Sequence, residues 1–338
     1  LLQTGDQFLS QSGISRNSDQ TFYFDARLDW KRSFGDHNLT AMAMYMMREY
    51  RSDVLPNRNQ GYSGRVTYDY ASKYLVEFNF GYNGSERLAA GHRFEFFPAV
   101  SAGWVASSEK FWEPISKYIN HFKIRGSYGL VGSDAFASGA PHFLYQNNIG
   151  IGSAHNFWTG LPTSEISKKG PGFYVLAVQD AGWEHVKKFD IGFDMMLFNQ
   201  LNITFDYFHD KRERILMSRA SWPSMLGYWG SKPWSNIGEV ENQGFELSLN
   251  WTKQFGKDLT LDLRGNFTYN QNEYKYVDEP SYPYVWQTNT GKPLNTVKGY
   301  IAEGLFTSEE EIANSPDQSQ LGANIMPGDI KYRDINGD

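Results

Sequence analysis

The sequence predicts an all-β fold, an antiparallel transmembrane β-barrel, and three observations carry that prediction. Aromatic residues make up 16% of the 338-residue chain, yet its mean hydropathy is polar at −0.55. That combination suits a sheet with one apolar and one wet face better than a helical bundle. About ten segments alternate apolar and polar residues over ten or more positions, longer than a mean globular strand of about five or six and matched to a tilted membrane strand. Finally, short and long connections alternate along the chain. That is the parity of an outer-membrane barrel, with its short turns in the periplasm, and a soluble sandwich has no reason to keep it.

The strands are read at 21–32, 38–50, 61–70, 74–83, 95–106, 121–131, 188–197, 200–210, 243–253 and 258–270. In 243–253, Phe245, Leu247, Leu249 and Trp251 point one way and Glu246, Ser248, Asn250 and Thr252 the other. In 258–270, Leu259, Leu261, Leu263, Phe267 and Tyr269 alternate with Thr260, Asp262, Arg264, Asn266 and Thr268. Phe189, Ile191, Phe193 and Met195 alternate with Asp190, Gly192 and Asp194, and Leu201, Ile203, Phe205 and Tyr207 with Asn202, Thr204 and Asp206. Tyr74, Val76, Phe78, Phe80 and Tyr82 form the apolar side of 74–83. Two strands break the rule: 95–106 is apolar on both faces, and 38–50 carries Met42, Met44 and Met46 where polar residues are expected. Short turns are read at 33–36, 71–73, 198–200 and 254–257; the link at 107–120 falls in a short slot but is longer, with a helical turn around Glu109–Glu113. Long loops are read at 51–60, 84–94, 132–184, 211–240 and from 271 onward. Trp30, Tyr50, Tyr70, Tyr82, Trp104, Tyr207, Trp251 and Tyr269 lie toward strand ends, where amphipathic rings would mark the two membrane interfaces.

Composition narrows the function. There is no Cys, hence no disulfide framework or thiolate metal site, and seven His are scattered without metal-ligand spacing. The net charge of −6 has its acids and bases interspersed, which speaks against a nucleic-acid partner. No apolar run has the length of a membrane helix. Asp190, Asp194, Asp206 and Asp262 recur on polar faces, where a glycosidase pair is conceivable but a wet lumen explains them without chemistry. The chain is therefore read as a non-enzyme. Its first residue is Leu1 and it stops in a polar run at Asp338, so both ends read as cuts.

Several runs resemble the SusC/RagA family of TonB-linked outer-membrane proteins. They are Tyr62–Trp104 (YSGRVTYDYASKYLVEFNFGYNGSERLAAGHRFEFFPAVSAGW), Ser107–Ser133, Trp183–Lys211, Asn236–Trp251 (NIGEVENQGFELSLNW), Gly291–Ile312 and Pro327–Asp338 (PGDIKYRDINGD). The six runs stand in the family's order and are spread along the chain from Tyr62 to Asp338. Gly81 departs from the family's common Arg, and Ala181-Gly182 from its usual Leu-Thr. The resemblance implies a plugged barrel of about 22 strands, with residues 1–272 supplying strands and extracellular loops and 273–338 one long, truncated extracellular loop. Plug and TonB box would lie outside this chain. It further implies TonB-dependent import of an oligosaccharide or peptide, with a SusD-like surface lipoprotein, the TonB complex and outer-membrane lipid as partners. A soluble or surface glycan-binding β-protein and a passive porin are the alternatives.

Two candidate sites follow. Trp158, Trp222, Tyr228, Trp229 and Trp234 lie in long loops rich in Gly, Pro and Ser, where aromatic platforms bind sugar rings or peptide side chains; loop self-packing explains them equally well. Asp334, Asn336 and Asp338 place oxygen ligands at alternate positions, as the start of an EF-hand loop does, and calcium is the ion such a loop would take. A surface turn of the same composition needs no metal. Ser308 to Glu311 reads as a capping box opening a short helix.

Overall fold

A computed structural model describes residues 18–52, 56–136, 140–150, 156–161, 164–223, 225, 232–322 and 324–337. The chain divides into two compact units, Leu1–Pro293 and Leu294–Asp338. In the first, the strands are β1 (Gln20–Phe34), β2 (His37–Arg51), β3 (Asn57–Tyr70), β4 (Tyr74–Ser85), β5 (Phe94–Val105), β6 (Ile119–Ser133), β7 (Asn148–Gly150), β8 (Asn156–Leu161), β9 (Ser164–Lys169), β10 (Gly172–Val175), β11 (Glu184–Leu197), β12 (Leu201–Ser218), β13 (Trp234–Phe255) and β14 (Leu259–Tyr276). The ten long ones form a single antiparallel meander in the order β1-β2-β3-β4-β5-β6-β11-β12-β13-β14. These are the ten strands read from alternation. The link between β5 and β6 holds two 3₁₀ turns, Ala106–Ser108 and Lys110–Ile115.

Because side chains alternate and partners pair in register, one hydrogen-bonded row defines a face across the sheet. Trp30, Ala41, Val66, Phe78, Val100, Tyr128, Phe189, His209, Gln243 and Gln271 are successive partners. The adjacent row, on the other face, runs Asp29, Met42, Arg65, Asn79, Ala99, Gly129, Lys188, Asp210, Asn242, Asn272. The first row turns polar at its end because the strands are tilted. Trp30 lies four residues from the short-turn end of β1 at Phe34, whereas Gln271 lies twelve from that of β14 at Leu259. The row thus climbs about eight residues over nine strand steps, roughly 26 Å of rise against roughly 43 Å of width, a tilt of about 30°. On β12–β14 the apolar face lies lower, in the rows Phe205–Leu247–Phe267 and Tyr207–Phe245–Tyr269.

The apolar face is the exposed one. Leu28, Val66, Phe78, Val100, Ile191, Leu263 and Phe267 all stand in the open, with Leu28 at 72% and Phe267 at 55%. A soluble protein does not expose so extended an apolar surface, whereas hydrocarbon covers it. β1 is exposed throughout and β14 is exposed as far as Gln271. These two edges carry unpaired backbone groups, which lipid does not tolerate, so the meander is a sector of a closed barrel.

Register settles several expectations of detail. Seven of the eight end aromatics share the apolar face; Tyr50, opposite Thr21 and Asn57, lies on the polar one with Met42, Met44 and Met46. β5 is apolar on both faces because Phe96 turns outward while Phe97 enters a buried cluster. Half of the loop expected at 211–240 is strand: β12 continues to Ser218 and β13 begins at Trp234. Two register shifts, between Arg212 and Ile215 and between Ile215 and Leu216, flip the faces and erase the alternation there.

The second unit contains the hairpin β15 (Ala302–Leu305) and β16 (Ile330–Tyr332) and helix α1 (Glu309–Ala313). Ser308 caps α1 by accepting from the Glu311 N–H at 3.1 Å. Glu311 reaches back one residue further than a capping box requires, accepting from the Thr307 N–H and hydroxyl. Those bonds, together with Lys331, pull its pKa from 4.5 down to about 2.

Candidate binding surfaces on the polar face and the long loops

On the polar face one guanidinium meets three carboxylates. Arg125 on β6 holds Asp206 of β12 at 2.7 Å, Asp194 of β11 at 3.3 Å and Asp190 of β11 at 3.6 Å. Gly192 makes this reach feasible. It pairs with Arg125 on one side and Asp206 on the other, and a Cβ there would collide with the Asp206 carboxylate and the Phe205 carbonyl. Thr204 donates a further hydrogen bond to Asp194 at 3.2 Å. Three of the four aspartates read on polar faces are thus gathered around a guanidinium as an ionic wall, while Asp262 accepts from the Thr252 hydroxyl at 2.6 Å. Beside them is a hollow of about 470 Å³ lined by Thr67, Glu77, Ser101, Lys123, Arg125 and Asp190, among others.

The buried core lies elsewhere, at the long-loop end. Leu88, Phe97, Leu144, Ala181, Trp183 and Leu216 form it, with Leu130, Phe136, Ala140, Val178 and Trp234 packed against it. Trp183 donates from Nε1 to the Arg93 carbonyl at 3.0 Å and meets Phe97 edge-on at 5.4 Å. Glu184, fully buried, accepts from the Leu216 N–H at 3.1 Å and pairs with Arg212. Asn236 accepts from the Gly182 N–H at 3.0 Å and donates to the carbonyls of Gly182 and Arg214 at 3.0 and 2.8 Å. The loops that follow β4 and β6 are therefore tied to the long-loop ends of β5, β12 and β13.

The five loop aromatics are placed differently from one another. Trp234 opens β13 and packs against the core. Trp222 has its indole N–H buried and belongs to a turn closed by its own N–H on the Arg219 carbonyl at 3.2 Å. That turn is pinned by the buried Asp278, which accepts from the Ser221 N–H at 2.9 Å and hydroxyl at 2.8 Å and faces Arg219 at 3.4 Å. Burial pushes the Asp278 pKa up, but the Ser221 bonds and Arg219 outweigh it and hold the carboxyl below its ordinary value. Trp158 stands exposed on the β8–β9 hairpin. Tyr228 and Trp229 lie outside the described residues. The pair that alternation does not single out is Tyr284 and Trp286, stacked beyond β14 with ring centroids 4.5 Å apart. Aromatics two apart amid prolines were the available signal. Asp334 Oδ1 accepts from the N–H groups of Asn336 at 3.1 Å and Gly337 at 2.7 Å, an Asx turn, and Asp338 lies outside the described residues. Among the described residues no group of three or more His, Asp or Glu is disposed to hold a metal.

Apolar residues facing out, an ionic wall facing in and cored loops at one end define a sector of an outer-membrane β-barrel. The profile of the TonB-dependent receptor-like β-barrel family matches residues 2–322, and the chain belongs to that family. It is 28% identical over 284 residues to TonB-dependent receptor P39 of Formosa agariphila, covering 83% of this chain and 26% of the relative. It is 26% identical over 239 residues to TonB-dependent receptor SusC of Bacteroides thetaiotaomicron, covering 67% of this chain and 22% of the relative. The RagAB peptide importer in its closed-closed state superposes with a TM-score of 0.67 at 18% identity, covering 93% of this chain and 36% of that one. These matches bear out the SusC/RagA resemblance and an outer-membrane location. The chain spans about a quarter of the length of the curated relatives it matches.

Proposed function

We propose that the protein to which this chain belongs imports an oligosaccharide or peptide across the outer membrane, driven through TonB and assisted by a SusD-like surface lipoprotein. The observation that carries this reading is the core at the long-loop end: a passive channel needs only connectors there, whereas a binding surface needs fixed ones. In this reading odd members of the ten-strand meander run toward the periplasm, and the loops after β6 and β12 face outward and meet the lipoprotein lid. The chemistry is binding and gated passage. The test is uptake of labelled oligosaccharides and oligopeptides by cells expressing the full-length gene. Uptake should vanish when the inner membrane is de-energised or TonB is deleted. Uptake indifferent to both would establish a porin instead.

A further inference from the structure

We infer that loop 277–292 is a neutral-saccharide subsite whose stacking surface is Trp286. This rests on the import reading above and narrows its substrate class to uncharged glycans. Trp286 lies face to face on Tyr284, with planes 7° apart and centroids at 4.5 Å. One face of the indole is thus backed, and the residue remains 49% exposed. The backbone beneath is fixed by two ionic groups turned inward. The Glu279 carboxylate accepts from the N–H groups of Asn289 at 2.6 Å and Thr290 at 3.0 Å and from the Thr290 hydroxyl at 2.8 Å. The Lys292 ammonium donates to the carbonyls of Trp286 at 2.6 Å and Val285 at 3.3 Å. Tyr274, at the end of β14, closes the base by bonding the Lys292 carbonyl at 3.0 Å and the Gly291 N–H at 2.8 Å. Asp278 ties that base to the turn at Ser221.

All three charged side chains of the loop, Asp278, Glu279 and Lys292, are therefore used in building it. From Pro280 to Gly291 there is no charged residue, only aromatic, aliphatic, hydroxyl and amide side chains, with prolines and glycine. A peptide brings charged termini, and an acidic glycan brings carboxylates or sulfates. Neither finds a counter-ion on this stretch, and a charge desolvated without a partner is costly. A neutral sugar ring has an apolar C–H face for the indole and a rim of hydroxyls for hydroxyl and amide groups. The ring is held before the ligand arrives, so little conformational freedom is lost on binding.

The test uses the purified full-length protein, titrated with neutral hexasaccharides of glucose, mannose and xylose, an oligogalacturonate and a mixed oligopeptide pool. At least one neutral hexasaccharide should bind more tightly than the acidic glycan and the peptides. Trp286→Ala should weaken it about tenfold or more, Trp286→Phe should recover most of the loss, and Lys292→Met should fall between. Heat-modifiable gel mobility verifies that each variant is folded. Unchanged binding by folded Trp286→Ala, tighter binding of the acidic or peptide ligand, or no binding of any neutral sugar would each overturn the subsite. TonB-dependent uptake of a peptide would also sink the subsite while leaving the import reading intact.

Discussion

Arg125 reaches across two neighbouring strands because Gly192 leaves it a path. Gly192→Ala would drive a methyl into the Asp206 carboxylate and the Phe205 carbonyl, a backbone contact that cannot rotate away. The expected cost is about 1–3 kcal/mol, the range for overpacking a filled site. Gly126→Ala is the control. Its Cβ would meet only the Asp190 carbonyl, at 3.5 Å, an ordinary contact, so the change should stay within about 0.5 kcal/mol. Urea unfolding in lipid vesicles measures both; equal costs would remove Gly192 from its role. At this scale the sequence was half legible. Alternation marked Asp190, Asp194 and Asp206 as one polar stripe, but it could not name Arg125 as their common partner. Period two assigns a face, whereas partnership depends on the register of three strands, which one strand's sequence does not contain.

Strands were legible where both faces kept their character. β13 is the clearest: Leu249 pairs with Ile203 and Gly265 on the outward face, and Ser248 pairs with Thr204 and Asn266 on the inward one, bonding Asn266 at 2.9 Å. Leu249→Arg should destabilise the barrel by about 2–4 kcal/mol at the membrane midplane, while Ser248→Arg should cost under about 1 kcal/mol. Matching values in a vesicle-based unfolding titration would mean the two faces are wrongly assigned. Legibility failed where geometry broke the period. Between Arg212 and Leu216 the register shifts twice, and Arg214 takes a left-handed φ of 56°, so Ile215 and Leu216 do not alternate and the segment reads as loop. The short strands β7–β10 pair only with one another; nothing in their few residues announces it.

The whole chain separates two kinds of cohesion. The meander is held by its hydrogen-bond ladder and by an apolar face that lipid covers, so it has no need of an interior core. Buried apolar side chains gather instead at the long-loop end, around Trp183 and Leu216. That location was not legible, because Leu88, Phe97, Leu144 and Trp183 are far apart in sequence and only the folded sheet brings their loops together. If the core serves the loops and not the barrel, truncating it should unfasten one and spare the other. Trp183→Ala removes the Phe97 contact and the bond to the Arg93 carbonyl, a change of the class that costs about 3–5 kcal/mol at a filled site. The open population of the loops should rise about a hundredfold or more, until it reaches the limit set by their own stability. Cleavage within 134–183 by an added protease, in proteoliposomes of the full-length protein, follows that population when reclosing is fast. Heat-modifiable gel mobility should meanwhile remain that of a folded barrel. A variant that no longer assembles would make the core part of the barrel, and one cleaved no faster than wild type would show that other contacts hold the loops.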